Sequence, residues 1–306
     1  MKYVVAADIG GTRTKLGLVE LENERVIKSS VISTEGNSKE AFLSSFEKHM
    51  NGLIRESGVK KTEIVGLGVS IGSYIFPHSG IVDTMDGFIN IPDRYPCKDL
   101  FEDMFKLPCR IENDARLIAY AESLYGVGRK NNRVLTLTLG TGVGIGMTVG
   151  KKFQDEDACM HLAGHIKVRF PGQEPELDKY PCYCNVSGCL ESTCSGTALM
   201  RLARKYLGED ADNVKLFAEA KAGKIEAVSI VRRYISYLAA ALNQYVYIYA
   251  PDMIVLGGGV AKGLSPWLDE LRSLVTASIH SEYKLEIVTS TLSEEAGILG
   301  AASLLL

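Results

Sequence analysis

The chain has 306 residues, 46% hydrophobic and 23% charged, with a formal net charge of −3. That length accommodates two domains, and the negative balance argues against a nucleic-acid-binding surface, whose footprint would be basic. No apolar run is long enough to span a bilayer, and the N-terminus enters a strand without the ordered regions of a signal peptide, so a cytoplasmic protein is expected.

Strands are predicted near residues 2–8, 15–20, 25–34 and 63–70. Between the first two lies Asp8-Ile9-Gly10-Gly11-Thr12-Arg13-Thr14, the turn of a hairpin. Gly10 and Gly11 let backbone N–H groups approach an anion, Thr12 and Thr14 add hydroxyl donors, and Asp8 can hold a metal-bound water. Such a turn suits the phosphates of a nucleotide; taken alone, it is also consistent with a glycine hairpin without chemistry.

Ala41, Phe42, Phe46, Met50, Leu53 and Ile54 have helical spacing. Strand Cys109-Arg110-Ile111 then leads into Glu112-Asn113-Asp114, where a helix starts with Leu117, Ile118, Ala121, Leu124 and Tyr125 on one face. Asn113 and Asp114 suit a helix cap, and a carboxylate there could equally take a proton from a substrate hydroxyl. A helix start favours the ionised carboxylate, so a lowered pKa and late proton acceptance are expected of Asp114.

A second hairpin opens with Val134 to Leu139 and a glycine turn from Leu139 to Gly146, including Gly140, Thr141 and Gly142. The 151–189 segment has little periodicity and contains Pro171, Pro175 and Pro181, so it is loop-rich. Within it Cys182, Cys184 and Cys189, with His165 upstream, offer three thiolates and an imidazole, a full tetrahedral set for structural zinc. Ordinary buried or redox-labile thiols are the competing reading. Cys194 is expected as a spare thiol on the helix after Glu191, and Cys97 and Cys109 as buried thiols. A helix over 226–249 and a strand over 253–256 precede a third turn, Gly257-Gly258-Gly259, and a helix near 293–305 closes the chain.

None of the three turns matches the G-x-x-x-x-G-K-[ST] phosphate loop or the G-x-G-x-x-G dinucleotide fingerprint. Together they fit the two phosphate elements and the adenosine element of actin-like ATPases. With Glu112-Asn113-Asp114-Ala115, Gly164-His165 and Cys182-x-Cys184-x4-Cys189-x-Glu191, the chain resembles the ROK family of bacterial sugar kinases and sugar-responsive repressors, on its glucokinase-like kinase branch. The resemblance implies an α/β, two-lobed actin-like ATPase (ribonuclease H-like) fold with a zinc-bearing loop insertion. The expected lobes are 1–115 with 290–306, and 116–289. It further implies a homodimer that binds ATP, Mg²⁺ and a sugar, with structural Zn²⁺ on His165, Cys182, Cys184 and Cys189. Asp114 would be the catalytic residue, and Asn90, Asn113, Asp114, His165 and Glu191 the sugar ligands. Asp8, Gly10, Gly11, Thr12, Thr14, Gly140, Thr141, Gly142 and Gly257 to Gly259 would hold the nucleotide.

This sequence departs from the family pattern at two places. Asn185 stands where glycine is usual, a mild change because Asn accepts left-handed geometry. More consequentially, the family's Gly-Glu falls on His161-Leu162, removing a charged acceptor for sugar hydroxyls. Three accounts stand open: an altered sugar packing on Leu162, a substitute acceptor such as Glu156 or His161, or weak sugar binding by a protein with another purpose. The expected activity is ATP-dependent phosphorylation of a hexose 6-hydroxyl, glucose or a close derivative. A non-catalytic sugar-sensing regulator is the alternative. A DNA-binding repressor is disfavoured because only seven residues precede Asp8.

Overall fold

Two five-stranded sheets carry the chain, and their strand orders correspond position for position. The computed structural model describes residues 2–34, 38–76, 78–83, 91–154, 159–292 and 295–306. They form two compact units: Met1–Arg129 with Lys151–Met160 and Leu292–Leu306, and Lys130–Gly150 with His161–Thr291.

The first unit contains β1 (Tyr3–Ile9), β2 (Arg13–Glu20), β3 (Arg25–Ser33), α1 (Lys39–Ser57), β4 (Ile64–Ile71), β5 (Tyr74–Phe76), β6 (Ile81–Asp83), β7 (Tyr95–Pro96), α2 (Cys97–Phe105), β8 (Cys109–Asn113) and α3 (Asp114–Leu124). Its main sheet runs β3-β2-β1-β4-β8, with β1, β4 and β8 parallel. The β1 sequence alternates between two buried faces, as a strand covered on both sides must. Val5, Ala7 and Ile9 pack in the core formed with Phe42 and Phe46 of α1 and Phe101 and Phe105 of α2. Val4 and Ala6 pack with Leu117 of α3 and with Ile298, Ala301 and Ala302 of the last helix, α11 (Ala296–Ser303). Gly68 on β4 permits this approach, because a Cβ there would lie 2.0 Å from the Ala301 carbonyl oxygen.

The second unit is built on β9 (Arg133–Leu139) and β10 (Val143–Val149), an antiparallel hairpin; the edge strand of their sheet, β11 (Lys152–Phe153), falls in the segment grouped with the first unit. There follow α4 (Pro175–Asp178), α5 (Leu190–Cys194), α6 (Gly196–Leu207), α7 (Asn213–Lys221), α8 (Ile225–Tyr249), β12 (Met253–Gly257), α9 (Gly258–Leu264), α10 (Leu268–Thr276) and β13 (Glu286–Thr289). The order is β11-β10-β9-β12-β13, with β12 parallel to both β9 and β13.

The structure shifts four expectations. The expected lobe boundary after residue 115 cuts through a packed helix: α3 lies against α11, so the first unit continues to Arg129. The second glycine turn is confined to residues 140–142, because Gly144 and Gly146 are ladder residues of β10 opposite Thr138 and Thr136. The small sheet β5-β6-β7 has no counterpart among the expected strands, being made of segments of two or three residues. The last helix spans Ala296–Ser303 rather than 293–305. Among the described residues no helix is long and apolar enough to cross a membrane.

Candidate active site

In the first unit the sheet register brings Asp8, Ser70 and Glu112 into one row across β1, β4 and β8. One residue further on, Ile9, Ile71 and Asn113 end the three strands together. Carboxyl ends of parallel strands are where α/β sheets place ligands, since the loops leave the sheet there. Ser70 Oγ donates to Asp8 Oδ1 at 2.7 Å, and a Cβ on Gly297 would lie 2.5 Å from the Asp8 carboxylate. A side chain at 297 would therefore displace that carboxylate.

Asn113 caps α3: its Oδ1 accepts the N–H groups of Ala115 and Arg116 at 3.0 and 3.3 Å, and its Nδ2 donates to the Ser73 carbonyl at 3.1 Å. Asp114, half-buried, opens the helix, with Oδ1 accepting the Ala115 N–H at 2.7 Å. The expectation of a lowered pKa is overturned here. Burial pushes the Asp114 carboxyl up to about 6, with the nearby Asp8 carboxylate adding to the rise, and outweighs the hydrogen bond from Ala115. A carboxylate poised near neutrality is suited to accept a proton.

The first glycine turn is exposed at Gly10, Gly11 and Thr12. Its carbonyls point toward Thr34: Gly10 O accepts the Thr34 hydroxyl at 2.7 Å, and Thr12 O accepts the Thr34 N–H at 3.0 Å. In trans peptides the next N–H groups point the other way, outward. Thr14 contradicts its expected role. It lies in β2, fully buried, with its hydroxyl 2.8 Å from that of Thr34, so it supports the turn from inside and offers no donor at the surface.

In the second unit the carbonyls of Gly140 and Thr141 face the start of α6, accepting the Gly196 N–H at 2.7 Å and the Thr197 hydroxyl at 2.9 Å. The N–H groups of Thr141 and Gly142 consequently face away from α6. Glu191 on α5 accepts the Val143 N–H at 3.2 Å and stands against Gly142, where a Cβ would be 3.2 Å from its Oε2. The third turn packs on the second: Gly257 is paired with Thr138, and Gly258 (φ +88°) leaves only 2.4 Å between its would-be Cβ and the Leu139 oxygen. Sequence reasoning missed Ser195-Gly196-Thr197, although a Ser-Gly-Thr cap between two helical runs was the available signal.

His165, Cys182, Cys184 and Cys189 converge, their ligand atoms all within 4.8 Å of one another. His165 Nδ1 lies 3.6 Å from Cys182 Sγ and 3.9 Å from Cys189 Sγ. Tetrahedral zinc with usual Zn–S and Zn–N lengths needs an N···S edge of about 3.6 Å, so the donor set is compatible with structural zinc. Backbone N–H groups of Val186 and Ser192 donate to the sulfurs of Cys184 and Cys189, each at 3.4 Å. Asn185 has φ of 60°, in keeping with its tolerance of that geometry. Imidazole Nε2 meets the Tyr183 hydroxyl at 2.8 Å, so this ring nitrogen is occupied by a neighbour in the same loop. Cys194 is fully buried on α5, as are Cys97 and Cys109 elsewhere. Asn90, Glu156 and the side chain of His161 lie outside the described residues.

The sequence matches the profile of the ROK family over residues 4–306. A glucokinase of Thermotoga maritima is 29% identical, over 99% of this chain and 96% of its own. An N-acetylgalactosamine kinase from a Shewanella species is 30% identical over 83% of this chain and 81% of its own. Among solved structures, a ROK family glucokinase from Streptomyces griseus in complex with glucose and AMPPNP aligns with a TM-score of 0.78 at 26% identity, covering 99% of this chain and 98% of that one.

Proposed function

This chain belongs to the ROK family, and on that premise we propose that it is an ATP-dependent sugar kinase transferring the γ-phosphoryl group to the 6-hydroxyl of a hexose, glucose or a close derivative. The observation that carries this reading is Asp114: a half-buried carboxyl, raised to about 6, at the start of α3 beside Asp8. In phosphoryl transfer the protein contributes position and charge more than covalent chemistry. Asp114 would accept the hydroxyl proton as the bond to phosphorus forms, and Asn113 would orient the sugar. His165 and Glu191 belong to the same proposed sugar set, as does Asn90. The outward N–H groups of Gly11, Arg13, Thr141 and Gly142 would bind phosphate oxygens, with Gly257 to Gly259 serving the adenosine, whereas the Gly10 N–H is bonded to the Arg13 carbonyl within the turn.

Oxygen donors suit Mg²⁺. Asp8, fixed by Ser70 and close enough to Asp114 to raise its pKa, is where such a cation would relieve repulsion. Bound there, Mg²⁺ would neutralise phosphate charge. Zinc on His165, Cys182, Cys184 and Cys189 would have a structural role, since four protein ligands leave no open position. A cytoplasmic homodimer completes the proposal.

The test is an ADP-release assay with Mg-ATP against glucose, mannose, fructose, allose and the N-acetylated hexosamines. Asp114→Asn should lower kcat by roughly 10² to 10⁴-fold on the accepted sugar. Leu162, where the family carries Glu, favours a second reading as a sugar sensor without turnover. ATP binding with no ADP release on any sugar would select that reading.

A further inference from the structure

The junction between β8 and α3 holds an ion pair that the proposed chemistry does not use. Glu112, the penultimate residue of β8, and Arg116, in the first turns of α3, lie 3.2 Å apart from Oε1 to Nε, with side chains only 3% and 2% exposed. The same Glu112 Oε1 accepts the backbone N–H of Asn113 at 2.7 Å. One carboxylate oxygen thus holds the last strand residue and the helix side chain together. On its far side the Arg116 guanidinium lies 4.6 Å from the centre of the Phe153 ring, which packs in turn on Tyr120 at 4.9 Å.

Such a pair is a poor device for stability alone. Desolvating two charges offsets most of their attraction, and apolar residues of similar size would serve a core as well. Its geometric effect is specific. Asn113 and Asp114 stand between the paired residues in sequence, so the pair fixes the backbone at both ends of the dipeptide. Asn113 is then held at its N–H by Glu112, at its Oδ1 by α3 and at its Nδ2 by Ser73.

We propose that Glu112 and Arg116 are positioning residues, a buried clamp that fixes Asn113 and Asp114 for phosphoryl transfer. The kinetic part of this inference rests on the proposed kinase activity. Displacement of a reacting group by about 1 Å can lower a rate on the order of a hundredfold, which sets the scale of the effect.

The experiment combines steady-state kinetics with amide hydrogen exchange on Arg116→Met, Arg116→Lys and the near-isosteric Glu112→Gln. We expect Arg116→Met and Glu112→Gln to lower kcat by roughly tenfold to a hundredfold with KM for ATP unchanged. Exchange should rise at Asn113 and Ala115 while the rest of the first sheet keeps its protection. Arg116→Lys, which retains the charge beside Glu112, should recover part of kcat. Unchanged kcat and unchanged exchange at these amides would overturn the clamp. So would exchange that rises evenly through the sheet while kcat falls only with the folded fraction, the signature of a merely structural pair. Should the native protein release no ADP on any sugar, the kinase reading fails separately, and the exchange measurement still decides whether the pair fixes Asn113.

Discussion

At Asp114 two local effects oppose one another, and burial outweighs the helix start. The consequence for stability follows from the direction of the shift. With a folded-state pKa near 6 against 3.8 for the ordinary carboxyl, the protonated form favours the folded state. That contribution is fully present below about pH 4 and is lost as pH rises through about 6. Asp114→Asn should therefore raise Tm at pH 7 to 8 while inactivating the enzyme, and this gain should vanish below about pH 4; equal Tm values at both pH extremes would contradict the burial of this charge. The native kcat/KM should fall about tenfold per pH unit below about 6, because the proton acceptor must be ionised. Asn113 and Asp114 were legible in the sequence as a cap or a catalytic pair because their spacing is local. The pKa was not legible, since it is set first by burial in the folded chain and then by Asp8, which lies on another strand of the sheet. Thr14 misled for a similar reason: its hydroxyl partner, Thr34, is 20 residues away.

At the scale of elements, the glycine turns differ in what they require. Gly258 combines positive φ with a backbone oxygen 2.4 Å from its would-be Cβ, whereas Gly259 has nothing within 4 Å. Gly258→Ala should cost about 2 kcal/mol or more and weaken ATP binding, as the third turn is pushed off Leu139. Gly259→Ala, inside α9, should be neutral or stabilising by up to about 1 kcal/mol. Urea midpoints on the two variants check the contrast. Turns and strands were readable because glycine clusters and strict alternation are short-range patterns. The helix α3 was read as amphipathic through Leu117, Ile118 and Tyr125. In the structure Leu117 is buried but Ile118 and Tyr125 only half-buried, while Arg116, Glu122 and Ser123 are buried; α11 packs against the helix from elsewhere in the chain, and Arg116 lies against Glu112 and Phe153.

Across the whole molecule, one strand order recurs in both units: an antiparallel hairpin followed by two parallel strands. The cysteine-bearing loop belongs to the second unit, as does Trp267, the single tryptophan, which packs on Phe217. Stripping the proposed zinc with a chelator should therefore lower the unfolding temperature followed by tryptophan fluorescence more than that of the first unit's hydrogen-exchange core. Unchanged fluorescence melting after verified metal removal would argue against a structural metal. The similarity of the two units was only suggested by the sequence, where the hairpins are alike but their connecting segments are not. The packing of α11 has a further consequence, for the order in which the molecule can be made. Residues 296–303 cover Val4 and Ala6 on β1, so that face of the strand stays partly uncovered on the ribosome until α11 has been made. A strand made early is thus sealed by a helix made after the whole second unit, and the growing polypeptide must shield that apolar sheet face from its neighbours in the interval.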